Sequence, residues 1–107
     1  MKLSDNIYIE FILKKYFPEF VKEHKFNQVR KWRFDYAIVN HKIGIEFEGA
    51  VWANGRHTRG RGYIKDIEKY NAAIFDGWTL IRFSYEHIKT PYFENTIKQL
   101  KEGINEN

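Results

Sequence analysis

Arg33-Phe34-Asp35-Tyr36-Ala37-Ile38-Val39-Asn40-His41-Lys42-Ile43-Gly44-Ile45-Glu46-Phe47-Glu48 is the stretch on which the reading of the whole chain turns. Apolar and polar residues alternate on both sides of Asn40-His41, and Asn tolerates the positive φ of a tight turn. The stretch therefore predicts a β-hairpin with Asn40 and His41 as its two turn residues. On the second strand Ile43, Ile45 and Phe47 point one way, and Lys42, Gly44, Glu46 and Glu48 the other. On the first, Phe34, Tyr36 and Ile38 share a face, and Arg33, Asp35, Ala37 and Val39 share its reverse. A two-residue turn sets Asp35 directly opposite Glu46. Opposed carboxylates repel by roughly 0.2–1 kcal/mol, a cost that a bound cation would turn into attraction.

Glu48 lies two residues beyond Glu46 on the same face, so three carboxylates, Asp35, Glu46 and Glu48, are expected to converge on one point. Hard oxygen ligands of this kind suit Mg²⁺ or Mn²⁺, with positions left for water and a phosphate. Zinc fits poorly, because the chain has no cysteine and its four histidines lack a paired ligand spacing. The small residues Gly44 and Ala37 leave room for a bulky ligand. The plainer alternative is an ordinary polar sheet face, with Arg33 opposite Glu48 as a cross-strand ion pair.

From Gly49 to Gly62 the periodicity disappears. The run reads as a glycine-rich basic surface loop carrying Arg56, His57, Arg59 and Arg61, with Lys65 just beyond and no acidic residue between Glu48 and Asp66. Arginine forks and glycine-exposed N–H groups suit phosphate oxygens, and Trp52 can stack on a base or sugar. A cation site beside a phosphate-binding loop supplies what phosphodiester hydrolysis needs: a Lewis acid, an activated water and charge stabilisation.

The remainder is consistent with one small α/β domain over residues 1–107. The 107 residues include 43% hydrophobic and 18% aromatic residues, enough for a single core. The formal charge of +4 fits a polyanion partner without demanding one. The absence of cysteine removes disulfides and thiolate chemistry. No signal-peptide core or membrane-length apolar run is visible, so a cytoplasmic protein is expected. Ser4 or Asp5 is expected to cap a first helix through Ile9, Ile12, Leu13 and Tyr16, stopped by Pro18, with Glu10 either solvated or aimed at the acidic face. A strand within 19–31 leads into Trp32. A helix follows over Tyr63 to Phe75 through Tyr63, Ile67, Tyr70 and Ile74, stopped by Gly77. Trp78 to Tyr85 is a strand, and Pro91 opens a last helix.

This order, α-β-β-β-α-β plus a C-terminal helix, resembles the restriction-endonuclease-like core of the PD-(D/E)XK nuclease superfamily, with a mixed four-stranded sheet flanked by helices. The segments Arg33-Phe34-Asp35-Tyr36, Glu46-Phe47-Glu48-Gly49, Gly55-Arg56-His57 and Asp66-Ile67-Glu68-Lys69-Tyr70-Asn71 look like those of small phage and prophage endonuclease-like proteins, a group similar to the very-short-patch repair endonucleases. Gly77-Trp78 through Arg82-Phe83 extend the likeness. The resemblance implies a Mg²⁺-dependent DNA endonuclease acting in phage DNA processing, repair or restriction. Asp35 and Glu46 would then hold the metal. Glu48, where the motif has lysine, would position or deprotonate water or add a metal contact, with Lys69 or Lys65 as the displaced lysine and His57 as an acid or base. Trp52, Arg56, Arg59, Arg61 and Lys65 would contact DNA, and a second copy would serve to cut both strands. The alternatives are a non-catalytic nucleic-acid-binding module of the same fold and a protein-binding α/β domain.

Overall fold

Helix α1, Leu3–Tyr16, begins the fold in a computed structural model that describes residues 3–49, 52–53, 56–57 and 61–105, with side chains left out at 52, 53, 56, 57 and 61. The order continues with β1 Val21–Asn27, β2 Trp32–Ile38, β3 Ile43–Glu48, β4 Trp52–Ala53, β5 Arg56–His57, α2 Arg61–Phe75, β6 Thr79–Ser84 and α3 Pro91–Asn105. The main sheet has the order β1-β2-β3-β6, antiparallel except for β6, which runs parallel to β3. It is a mixed four-stranded sheet in an α/β fold, as expected. No helix among the described residues is long and apolar enough to cross a membrane.

The hairpin keeps its expected register through a different turn. Tyr36, Ala37 and Ile38 oppose Ile45, Gly44 and Ile43. Four residues connect them, however: a 3₁₀ turn over Val39–His41, then Lys42 in the left-handed region (φ 51) with its N–H donating to Val39 O at 3.0 Å. Lys42, not Asn40, supplies the positive φ. The carbonyl of Lys42 accepts from Thr79 N at 2.8 Å and so starts β6 beside β3.

One face of the sheet is closed by α1 and α3. Ile9, Ile12 and Leu13 from the first, Phe17 just past its end, and Phe93 and Ile97 from the last bury Tyr36, Ile38, Ile43, Ile45, Phe47 and Phe83. Helix α1 starts before Ser4 and Asp5, which therefore lie in its first turn rather than at its cap. Glu10 is not free: it accepts from the Tyr36 hydroxyl at 3.0 Å and pairs with Lys22 at 3.1 Å.

The other face holds a smaller cluster of Phe34, Ala37, Ala73 and Trp78, with Phe26 and Leu80 against it. Phe34 thus departs from strict alternation, since it lies with Ala37 and not with Tyr36 and Ile38. The break has a partner in β1, where Lys22 opposes Tyr36, His24 opposes Phe34, and Glu23 between them adopts φ 51. An irregular residue of this kind locally bends and twists its strand, and it stands in β1 where the alternation of β2 is broken. Phe34 stacks on Phe26 at 4.2 Å and fills the space above Gly44, where a Cβ would stand 2.7 Å from its ring. The room that Gly44 and Ala37 were expected to leave for a ligand is occupied by this ring.

Helix α2 covers this second face thinly. Ala73 is its buried contact, while Ile64, Ile67, Ile74 and Phe75 are exposed. Gly77, at φ 86, ends the helix as expected.

Candidate functional site

Beyond Tyr36↔Ile45 the backbone pairing of β2 with β3 gives way to side chains. The Asp35 N–H donates to Glu46 Oε2 at 3.3 Å, and the Phe47 N–H donates to Asp35 Oδ2 at 2.8 Å. Each carboxylate therefore grips the opposite strand, and the two acids meet as the hairpin register requires.

Glu46 is the buried charged residue of the described chain, at 6% exposure. Burial first, and then the neighbouring Asp35 carboxylate, push its pKa from 4.5 up to about 7, against the lowering effect of Lys69. Lys69 reaches Glu46 Oε1 from the middle of α2, its side chain mostly buried. This brings together three of the expected catalytic residues, Asp35, Glu46 and Lys69. When both acids are ionised, one ammonium faces two carboxylates and the group carries one net negative charge.

Glu48 takes a different place. Its Oε1 accepts from Arg82 Nε at 2.7 Å, from the other Arg82 nitrogen Nη2 and from the Tyr70 hydroxyl at 3.0 Å, while the Arg82 guanidinium lies 4.3 Å from the centre of the Tyr70 ring. Among the described residues no three His, Asp or Glu side chains form a group that could hold a metal ion. The expected convergence of three carboxylates is thus replaced by a pair, with Glu48 drawn to the β6 cation. Glu48 is also not paired with Arg33, which sits opposite Lys25 on β1. Burial and the Glu48 carboxylate raise the Tyr70 pKa. Tyr85, partly buried near the pair, is raised by burial and then by Asp35 and Glu46.

The basic segment is not wholly irregular. Trp52 pairs with His57 and Ala53 with Arg56, so a short hairpin stands where a loop was expected. Arg61 opens α2, and Lys65 is exposed on it. Arg59 lies outside the described residues, as do the side chains of Trp52, Arg56, His57 and Arg61, so their expected roles have no geometry here.

Arg82, Tyr70 and Tyr85 escaped the sequence reading as members of this group. For Arg82 a signal existed: its strand places it on the polar side with Leu80 and Ser84, and parallel pairing sets it beside Glu46. The two-carboxylate set fits a hard divalent ion, which typically uses one or two protein carboxylates and completes its shell with water and phosphate. Comparison with family models, curated proteins and solved structures finds no match for the chain.

Proposed function

We propose that the chain is a divalent-metal-dependent DNA endonuclease with a restriction-endonuclease-like core, hydrolysing phosphodiester bonds. The observation that carries this reading is the interlocked Asp35/Glu46 pair with Lys69 reaching it from α2. Asp35 and Glu46 hold Mg²⁺ or Mn²⁺, which when bound supplies Lewis acidity and charge neutralisation at the scissile phosphate. Lys69 serves in place of the lysine absent at position 48. Its ammonium, held beside Glu46, would steady the phosphate oxygens. Glu48 keeps Arg82 stacked on Tyr70 beside the pair, a second cation for the DNA backbone. The basic residues from Arg56 to Lys65 contribute further phosphate contacts. A reading in cytoplasmic phage DNA processing, repair or restriction goes with it.

The test is a cleavage panel of linear, nicked, branched and single-stranded DNA with Mg²⁺ or Mn²⁺. Asp35→Asn and Glu46→Gln are expected to abolish cutting while DNA binding survives. Folded protein that leaves every substrate intact refutes the proposal.

One observation favours a second reading. Because Lys69 already partners Glu46, the group would also serve a non-catalytic nucleic-acid-binding module with the ammonium as its sole cation. Calorimetric titration with Mn²⁺ separates the two: heat that disappears in Asp35→Asn belongs to the nuclease, and no heat to the binding module.

A further inference from the structure

The two edges of the main sheet are built differently. β1 carries Lys22, Glu23 and Lys25, turns left-handed at Glu23 and shifts register between Lys25 and Asn27. Charges and irregularities of this kind keep an edge from pairing with another chain. β6, at the opposite edge, is Thr79-Leu80-Ile81-Arg82-Phe83-Ser84 and pairs with β3 in unbroken register. Its one charge, Arg82, is drawn to Glu48 over one face. Among the described residues no strand covers its outer side. Apolar groups border that side on both faces. Ile67 and Ile74, 43% and 60% exposed, lie two turns apart on α2, and Tyr70 of the same helix packs on Arg82. On the α3 face Ile81, Leu100 and Ile104 line an open cavity of about 460 Å³.

We propose that β6 is a self-association edge, on which a second copy of this chain pairs antiparallel about a two-fold axis perpendicular to the sheet. A second copy suits it because the strand is complementary to itself. Such an axis keeps each face on its own side, so opposed residues must share a face. Centred on Ile81, it sets Ile81 against its own copy, Leu80 against Arg82 and Thr79 against Phe83. Centred on Arg82, it would oppose two guanidinium groups. These two centres each pair five residues of the strand, against three for a centre on Leu80 or Phe83, and between the two charge selects the first. Because α2 touches both β3, through Lys69, and β6, through Tyr70, its axis stands about one strand spacing from the two-fold, roughly 5 Å. Two copies of α2 then lie about 10 Å apart, the packing distance of helices, with Ile67 and Ile74 at the seam. The inference stands on this edge and not on the nuclease reading. If both hold, the two acid pairs share one face, their β3 strands three strand spacings, roughly 14 Å, apart.

Since the chain has no cysteine, a single one introduced into the full chain reports the register. Ile81→Cys brings two thiols together across the axis at the 4.5–5.5 Å Cα separation of opposed residues, within the roughly 4.4–6.8 Å of disulfides. Thr79→Cys, on the same face, lies roughly 14 Å from its copy. Sedimentation equilibrium of the unmodified chain is expected to give twice the 13.0 kDa mass. Under mild oxidation Ile81→Cys is expected to cross-link at least roughly tenfold faster than Thr79→Cys, because the axial pair is held at high effective concentration. The exposed-site variant Ile67→Lys/Ile74→Lys is expected to sediment as a monomer. A monomer mass for the unmodified chain at every concentration overturns the proposal, as does a dimer in which the two cysteine variants link alike. Should Ile81→Cys fail to fold, the double-lysine variant decides: loss of the dimer supports the edge, and retention overturns it.

Discussion

Glu46→Gln offers the most direct measure of what the acid pair costs the fold. The amide oxygen can replace Oε2 and accept from the Asp35 N–H, while its NH₂ stands where Oε1 accepts from Lys69 and gives up that bond. The lost Lys69 bond is an offset, and the lost ionisation is the part that varies with pH. In the folded chain Glu46 holds its proton up to about pH 7, against 4.5 for an ordinary glutamate. Between those values the folded state binds more protons than the unfolded one, so stability falls as pH rises. The contribution is complete below 4.5 and lost by about 7. At about 1.4 kcal/mol per pH unit, that rise amounts to about 3 kcal/mol. Urea unfolding in the presence of a chelator, run at several pH values across this window, is the assay. Stability of the wild-type chain relative to Glu46→Gln is expected to drop by about that amount from the acid to the alkaline end. A difference that stays constant with pH refutes the geometry described for Glu46. Repeating the titration with Mn²⁺ then bears on the proposed metal site, because an ion that binds only the folded, ionised pair flattens the wild-type slope and leaves the variant unmoved.

Gly44→Ala drives a methyl group to 2.7 Å from the Phe34 ring, which Phe26 and Trp78 hold from two other sides. A loss of about 1–3 kcal/mol is expected in denaturant unfolding, and an unchanged midpoint would mean that the ring is free to move. Lys69→Met strips Glu46 of its cation beside Asp35. The pH-dependent fall in stability is expected to move to higher pH than in the wild-type chain, and an unmoved fall would show that Lys69 does not reach the acid.

What was legible in the sequence is what period-two alternation fixes. A one-residue slip would have carried Ile43, Ile45 and Phe47 out of the core, so the register of Tyr36, Ala37 and Ile38 against Ile45, Gly44 and Ile43 was readable even though the turn was not. The short hairpin also had its signal: Asn54-Gly55 stands between the paired residues, a strong two-residue hairpin dipeptide overlooked among basic residues. Other features left no such mark. Nothing in the composition of β1 or β2 announces that Glu23 turns left-handed or that Phe34 packs on the opposite face from Tyr36 and Ile38. The attraction of Glu48 to Arg82, 34 residues apart in the chain, depends on β6 lying parallel beside β3.

The site occupies the place where the strand pattern breaks, and this bears on what the acids are for. The interlock of β2 with β3 needs only acceptors: Asn at 35 would take the Phe47 N–H, and Gln at 46 would take the Asp35 N–H, leaving only the Lys69 bond to the other oxygen unmade. Amides would do so without mutual repulsion and without burying charge. The chain instead places two carboxylates together and raises one of them to about 7. The interlock explains their positions, and Lys69 accounts for one negative charge but not for two. Of the groups described, only Lys69 opposes the charge of Glu46 at close range, and it does so once against two. The proposed divalent cation would use the remainder, which makes Asp35→Asn the decisive substitution: it preserves the interlock and removes the charge that neither the interlock nor Lys69 requires.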